Sequence, residues 1–245
     1  MPRRLLLLTG EFEAGVLVPF LTRHGPDVQV QAIHFGGELE AAVLAGTEGT
    51  RLVAFCTSVI VPAPFLALLP GPSYNVHPGP PSFPGRHPEC WGSYRGARRF
   101  GATLHEMVSR VDEGPIVDVQ WFDMPDGGGQ MDYGMRAYQA AIQLLIRWAP
   151  WLVSNERPLP RSTDHWSGTK TRRADIDAMC RVTPDIDREE FERRRRAFAE
   201  QPGSRMSVVL HGREFLYEVP PEAPKPAAAD ATETGPIETG PTVVA

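Results

Sequence analysis

The chain has 245 residues, of which 42% are hydrophobic and 22% are charged, and its formal net charge is −5. This composition is ordinary for a soluble globular protein with a substantial core. The acidic balance argues against a surface that coats nucleic acid.

The three cysteines, Cys56, Cys90 and Cys180, show no paired spacing. They therefore predict neither a disulfide framework nor a zinc scaffold, and they are typical of a reducing cytoplasm. The apolar run at 5–8 stops at Thr9-Gly10 and acidic residues follow, which indicates a buried strand rather than a signal peptide. No stretch approaches transmembrane length, so we expect a cytoplasmic protein.

The N-terminal half alternates predicted strands with predicted helices. Apolar or alternating runs predict strands over 4–8, 28–35 and 52–55, and helices are predicted over 14–23 and 38–45. This β-α-β-α-β order implies parallel strands joined by right-handed crossovers. We therefore predict an α/β fold with a doubly wound, mostly parallel, Rossmann-like sheet, whose ligand binds beyond the carboxyl ends of the strands.

The remaining elements predict a C-terminal addition to this sheet. Strands are predicted over 104–108 and 116–121, a long amphipathic helix over 131–155, a charged helix over 187–199, and a hairpin of 206–210 and 214–219. From Pro220 onward, Pro, Ala, Thr and Glu dominate, which predicts disorder. We expect a catalytic domain at 1–156, a small α+β subdomain at 157–219 and a disordered tail at 220–245.

Chemistry-bearing residues gather between positions 74 and 112. Asn75 and His77 end a predicted strand over 73–77 and share one face of it, because strand residues two apart point the same way. A loop rich in proline and glycine follows, then a predicted strand Gly101–His105 and Asp112. An amide can stabilise an oxyanion, an imidazole can move a proton, and a carboxylate can orient the imidazole. This set needs no Ser or Cys nucleophile, which favours direct acyl transfer to an amine.

Three motifs at these positions closely resemble the catalytic core of the formyltransferases that use 10-formyltetrahydrofolate. They are Asn75-Val76-His77-Pro78, Gly101-Ala102-Thr103-Leu104-His105 and Asp112-Glu113-Gly114-Pro115-Ile116. The family patterns are N-x-H-P, G-x-T-x-H and D-x-G-x-I. The family includes glycinamide ribonucleotide, methionyl-tRNA and amino-sugar formyltransferases.

The resemblance implies the formyltransferase fold and a formyl donor, 10-formyltetrahydrofolate. It implies that Asn75, His77 and Asp112 are the catalytic residues. It also implies that two loops bind the pterin; their residues are Ser58, Val59, Ile60, Val61, Ser109, Arg110 and Val111.

The sequence defines the acceptor less closely than it defines the formyl donor. Gly10-Glu11-Phe12-Glu13 stands where glycinamide ribonucleotide enzymes have a glycine-serine-asparagine loop, and the basic C-terminal domain of the tRNA enzymes has only a short counterpart here. We expect a small acceptor with a primary amine: an amino-sugar nucleotide, an amino acid or a peptide. The alternatives are a formyltetrahydrofolate hydrolase, a methionyl-tRNA formyltransferase-like enzyme and a folate-binding protein without turnover. We expect no nucleic-acid or membrane partner, and a homodimer stays open.

Several other residues have both a functional and a structural interpretation. His105 is a motif member, but a histidine on a buried strand is more often a structural hydrogen-bonding residue. His87 and Cys90 lack further ligands nearby, so no metal site is predicted. The basic run 193–196 is interleaved with acids, which is typical of a solvated helix face. Glu11 and Phe12 either contact the acceptor or serve as ordinary capping and packing residues.

Overall fold

The structure is a computed structural model that describes residues 3–154, 157–199 and 206–218. The predicted tail at 220–245 lies outside the described residues. So does the predicted domain boundary at 156, and the division into domains therefore stays a prediction. Among the described residues, no helix combines the length and apolar character needed to cross a membrane.

A six-stranded sheet forms the centre of the protein, in the order β2-β1-β3-β4-β5-β6. Strands β1 to β4 are parallel, and β5 and β6 are antiparallel to their neighbours. The predicted α/β class and the mostly parallel sheet are confirmed. The elements are β1 (Arg4–Leu8), α1 (Glu11–His24), β2 (Gln29–Ile33), α2 (Gly36–Leu44), β3 (Thr50–Phe55), α3 (Ala63–Leu68), β4 (Tyr74–His77), α4 (Pro88–Arg95), β5 (Arg99–Glu106), β6 (Ile116–Asp123) and α5 (Gln130–Ser154).

Strand β1 shows why the sheet is covered on both faces. Leu5 and Leu7 belong to a buried cluster with residues of α1 and α5, whereas Leu6 and Leu8 belong to a second cluster with residues of α2. A continuous apolar run is what a parallel strand between two helical layers requires.

The C-terminal segment adds a small three-stranded sheet, β7-β8-β9, and two helices. Its elements are α6 (Arg173–Cys180), β7 (Arg181–Val182), α7 (Arg188–Phe198), β8 (Ser207–Leu210) and β9 (Arg213–Leu216). The predicted hairpin turns at His211 and Gly212, whose φ values are 50° and 76°. A two-residue turn with positive φ at both positions matches the twist of the strands it joins.

Helices α4 and α6 are present in the structure but were not predicted from the sequence. Helix α4 follows the proline-rich loop and begins with Pro88, which suits the first helical position because that residue needs no N–H donor. Helix α6 has a short amphipathic pattern and was not predicted. The predicted strands over 101–105 and 104–108 are one strand, β5.

The central helix α5 supplies a test of the core. Leu144 has an exposed fraction of 0% and Ile146, on the same helix, 52%. We expect Leu144→Ala to lower the free energy of unfolding in urea by about 2–5 kcal/mol, because a buried side chain leaves a cavity. Ile146→Ala is the control and should change it by about 0.5 kcal/mol or less. Equal losses in the two variants would contradict the described packing.

Candidate active site

The antiparallel pairing of β4 and β5 places two motif residues side by side. Asn75 is the direct register partner of His105. Residues opposite one another in an antiparallel pair share a face of the sheet. Asn75 Nδ2 lies 3.1 Å from His105 Nε2. The N-x-H and G-x-T-x-H motifs therefore meet through these two side chains.

Asp112 lies between two imidazoles. Its Oδ1 is 3.4 Å from His105 Nε2, and its Oδ2 is 3.7 Å from His77 Nδ1. The Gly85 main-chain N–H donates to Oδ2 at 2.8 Å. The side chain is almost completely buried, with 2% exposed. The structure thus joins Asn75, His105, Asp112 and His77 in one chain of contacts.

The contacts of His105 define its tautomer. Its Nδ1 lies 2.8 Å from the Glu106 carbonyl oxygen, which can only accept, so Nδ1 carries the proton. In the neutral ring, Nε2 is then an acceptor and receives the Asn75 N–H. His105 therefore orients the Asn75 amide, a role that the motif resemblance alone did not assign.

The same reasoning applies to His77. Its Nε2 lies 3.2 Å from the Phe83 carbonyl oxygen, so this nitrogen carries the proton of the neutral ring. The unprotonated Nδ1 faces the Asp112 carboxylate. A proton that arrived at Nδ1 would lie beside a negative charge, which stabilises it.

Asp112 is ionised in this environment. Burial by itself raises the pKa of its carboxyl group, but the positive charge that His77 carries when it is protonated, the hydrogen bond and charge of a protonated His105, and the Gly85 N–H together hold the pKa far below its usual range. Its Oδ1 is buried and accepts no hydrogen bond from any residue that the structure describes. A buried carboxylate oxygen without a donor is costly, so this atom is a position for a donor from a ligand.

A cavity of about 550 Å³ adjoins this cluster, and Asn75, His77, His105 and Asp112 all line it. Six of the seven residues predicted to bind the pterin line it as well: Ser58, Val59, Ile60, Val61, Arg110 and Val111. Ser109 is not among the lining residues. It is exposed in the bend before Arg110.

Left-handed backbone conformations concentrate at this cavity. Cys56, His87 and Asp112 have φ values of 46°, 55° and 50°, and all three line it. Within the described residues, the only other non-glycine residue with positive φ is His211, in the hairpin turn. Such conformations cost free energy in non-glycine residues and are typical of functional sites.

A C-terminal segment that we name the strap, residues 162–172, crosses the loops beside the candidate site. The Ser162 N–H donates to the Ile116 carbonyl at 2.7 Å, and the Ser167 N–H donates to the Pro81 carbonyl at 2.9 Å. The strap therefore fixes both the segment after the Asp112 loop and the proline-rich loop. The strap has no regular periodicity, so no local sequence pattern indicates its position.

Trp166 of the strap packs against both imidazoles. Its ring centroid is 5.9 Å from that of His77 and 5.0 Å from that of His105, in edge-to-face geometry. Its Nε1–H donates to the Gly114 carbonyl at 2.8 Å. Trp166 thus shields the two rings from solvent and holds the loop that carries Asp112.

Glu89 joins His87 and Cys90 in one cluster. The possible metal-ligand atoms of the three side chains all lie within 4.8 Å of one another. Glu89 Oε1 lies 3.1 Å from His87 Nδ1 and accepts from the Cys90 thiol at 3.8 Å. Burial, followed by the charge of Glu89, raises the pKa of the Cys90 thiol far above its usual range. The group is therefore a hydrogen-bonded cluster around a protonated thiol, and a metal ion would first have to displace that proton.

The remaining candidates lie away from the cavity. Phe12 is 82% exposed, and neither Phe12 nor Glu11 lines the cavity. The basic run of α7 is paired with acids of the same helix: Arg193 and Arg194 contact Glu190, and Arg195 contacts Glu192. This pattern is that of a solvated helix face.

The model of the formyl transferase family matches residues 38–146. The matched segment contains Asn75, His77 and Asp112. This segment of the chain is thus similar to the formyl transferase family, in agreement with the motif resemblance.

Solved structures share the fold. A sugar N-formyltransferase from a Shewanella species matches with a TM-score of 0.73 at 15% identity, over 91% of this chain and 99% of that chain. A 4-N formyltransferase from Francisella tularensis gives a TM-score of 0.66 at 15% identity, over 90% of this chain and 98% of that chain. HypX from Aquifex aeolicus, in complex with tetrahydrofolic acid, gives 0.57 at 19% identity, over 87% of this chain and 37% of HypX. At these identities the likeness concerns the fold.

The loop of Asp112 depends on a close backbone approach at Gly114. A Cβ atom at this position would overlap the Glu106 carbonyl oxygen of β5. We expect Gly114→Ala to lower the free energy of unfolding in urea by about 1–3 kcal/mol. Gly15→Ala is the matched control: it lies in α1 with nothing within 4 Å of the added Cβ, so a gain of about 0.5–1 kcal/mol is expected. A neutral Gly114→Ala variant would show that the loop is not constrained.

The low pKa of Asp112 also predicts a pH dependence. Because the folded-state pKa is depressed, the contribution to stability is present above the unfolded value, about 3.9, and is lost as the pH falls towards the folded value. Between about pH 5 and pH 2, the free energy of unfolding should therefore fall more steeply for the wild type than for Asp112→Asn. Urea unfolding at several pH values measures this, and parallel curves would contradict an ionised, stabilised Asp112.

Proposed function

We propose that the protein transfers a formyl group from 10-formyltetrahydrofolate to the primary amine of a small acceptor. The observation that carries this proposal is the buried Asp112 carboxylate, flanked by two imidazoles, in the wall of a cavity. The unpartnered Oδ1 of Asp112 lies where an amine could donate a hydrogen bond.

The cavity residues suit the proposed donor. The loops at 57–61 and 107–111 bring apolar side chains to the wall, among them Val59, Val61 and Met107. Apolar walls with a few polar groups are typical of sites that bind flat, partly polar rings. HypX, which shares the fold, was solved with tetrahydrofolic acid bound. Both observations support a pterin between the two loops.

The Asn75 amide is the group best suited to stabilise negative charge. The donor would supply an electrophilic formyl carbon, whose oxygen gains negative charge as the amine adds. One N–H of the Asn75 amide is used by His105, which leaves the second for that oxygen. His105 holds the amide in place and needs no proton of its own on Nε2.

Asp112 and His77 are suited to collect the proton of the amine. The Asp112 carboxylate can accept a hydrogen bond from the incoming amine, and His77 Nδ1 lies next to the same carboxylate. A proton on Nδ1 would form an ion pair with Asp112, while Nε2–H keeps its bond to the Phe83 carbonyl. The bond between the formyl carbon and the donor nitrogen would then break, and that nitrogen would take up a proton and leave as tetrahydrofolate. An imidazole could also hold the oxyanion, but the two nitrogens of His77 face the Phe83 carbonyl and Asp112. We therefore assign His77 to proton transfer.

A small acceptor is favoured over a macromolecular one. Two proteins that share the fold over almost their full length are a sugar N-formyltransferase and a 4-N formyltransferase. The formal net charge of this chain is −5, which does not favour tRNA binding. We therefore propose an amino-sugar nucleotide, an amino acid or a peptide amine as the acceptor.

Release of tetrahydrofolate tests the assignment. In the presence of an accepted amine, Asn75→Ala and Asp112→Asn should each lower kcat by about 10²-fold or more, because each removes a group that acts mainly in the transition state. Asp118→Asn is the matched control: Asp118 contacts Arg147 and Trp148 and does not line the cavity. Mass spectrometry of an amine panel, read as a gain of one formyl group, identifies the acceptor.

The other outcomes of this assay have distinct meanings. Release without any amine would indicate a hydrolase, and binding of the donor without release would indicate a folate-binding protein. Formylation of methionyl-tRNA alone would indicate the tRNA branch of the family. Full turnover in both Asn75→Ala and Asp112→Asn would contradict the proposed mechanism.

A further inference from the structure

The cavity that holds the proposed site has a strongly basic rim. Five cationic residues line it: Arg86, Arg110, Lys170, Arg172 and Arg173. The two acids that line it are Glu89, which contacts His87, and the buried Asp112. The acceptor's amine explains none of these positive charges.

Three of the five cations form ion pairs with two neighbouring carboxylates. Arg110 and Lys170 share Glu113, at 2.9 Å and 2.6 Å. Arg173 pairs with Asp177 of its own helix at 2.8 Å. These contacts occupy their charged groups in the absence of a ligand.

Arg86 and Arg172 differ from the other three. Both side chains are exposed, and neither forms an ion pair with any residue in the described ranges. Both guanidinium groups are therefore open to an anionic ligand at the cavity. Such a ligand could accept paired N–H bonds from a planar guanidinium.

The backbone holds these two arginines close together. The Arg86 N–H donates to the Thr171 carbonyl at 3.0 Å, and the Thr171 hydroxyl donates to the Arg86 carbonyl at 2.8 Å. Gly85 forms a bridge with Thr171, and its φ of 97° favours glycine. A Cβ at Gly85 would overlap the Thr171 main chain. Residues 86 and 172 therefore flank one rigid junction between the proline-rich loop and the strap.

We propose that Arg86 and Arg172 bind an anionic group of the substrate, a phosphate or a carboxylate, at the mouth of the cavity. This inference rests on the proposed function, because it treats the cavity as the substrate site. The anion has two possible sources. It is either a phosphate of the amine acceptor or a carboxylate of the glutamyl tail of the folate donor.

Direct binding of two simple anions tests the proposal without turnover. Inorganic pyrophosphate stands for the acceptor's phosphate, and γ-linked triglutamate stands for the tail of the donor. Calorimetric titration at low salt would compare the wild type with Arg86→Ala/Arg172→Ala. We expect at least one probe to bind the wild type and to bind the double variant about tenfold more weakly or worse, with a steep loss of affinity on adding salt.

Two further variants keep the result interpretable. Arg86→Gln/Arg172→Gln retains the side-chain stems and should lose binding to the same degree, which separates loss of charge from loss of packing. Arg98→Ala/Arg136→Ala removes two positive charges that do not line the cavity and should bind both probes as the wild type does. Circular dichroism of each variant checks that it is folded.

The outcomes distinguish the sources and the hypotheses. Loss of pyrophosphate binding assigns the pair to the acceptor, and loss of triglutamate binding assigns it to the donor. If neither probe binds the wild type more tightly than the double variants, the anion site is overturned. If a probe binds the wild type more tightly than the double variants but tetrahydrofolate is never released, the anion site is supported and the proposed formyl transfer is overturned.

Discussion

The buried carboxylate of Asp112 is the group on which the site depends. It brings together a glycine N–H of the proline-rich loop and two imidazoles that lie on different strands, β4 and β5. A negative charge in this environment is tolerated only because these partners surround it, since an isolated buried charge would be far too costly. Contacts between segments that are distant in the sequence hold these partners in place. The strap places Trp166 against both rings, and Gly114 allows the loop to approach β5.

Strained backbone conformations are also concentrated around this site. Three of the non-glycine residues with left-handed φ line one cavity, at the end of β3, at the start of α4 and in the Asp112 loop. Cys56 directly follows β3 and His87 directly precedes α4, so the adjoining strand or helix can hold the unfavourable conformation. Asp112 lies within a loop, where its contacts with Gly85 and the two imidazoles hold it. The candidate residues thus lie on β4, on β5 and on the loops at one edge of the sheet, which is where ligands of open α/β sheets usually bind.

Much of this arrangement could be predicted from the sequence. The apolar runs of β1 and β3 are strong signals of a parallel sheet, and Asn75, His77 and Asp112 stood out by residue type and order. The position of His105 opposite Asn75 required knowing that β5 returns antiparallel to β4, which local periodicity does not reveal. Helix α4 was not predicted because its first residue, Pro88, continues the pattern of the proline-rich loop before it. Trp166 reaches the two imidazoles, and Arg172 reaches the cavity, only through bonds between segments that are distant in the sequence, so no local pattern indicated them.

A crystal structure of the protein with tetrahydrofolate tests the central claim most directly. We predict that the pterin lies in the cavity between Ser58–Val61 and Arg110–Val111, with the nitrogen that carries the formyl group in the donor facing Asn75 and Asp112. The carboxylate and the two imidazoles should keep their contacts. A pterin bound elsewhere on the protein, or a cavity that excludes tetrahydrofolate at saturating concentration, would contradict the account.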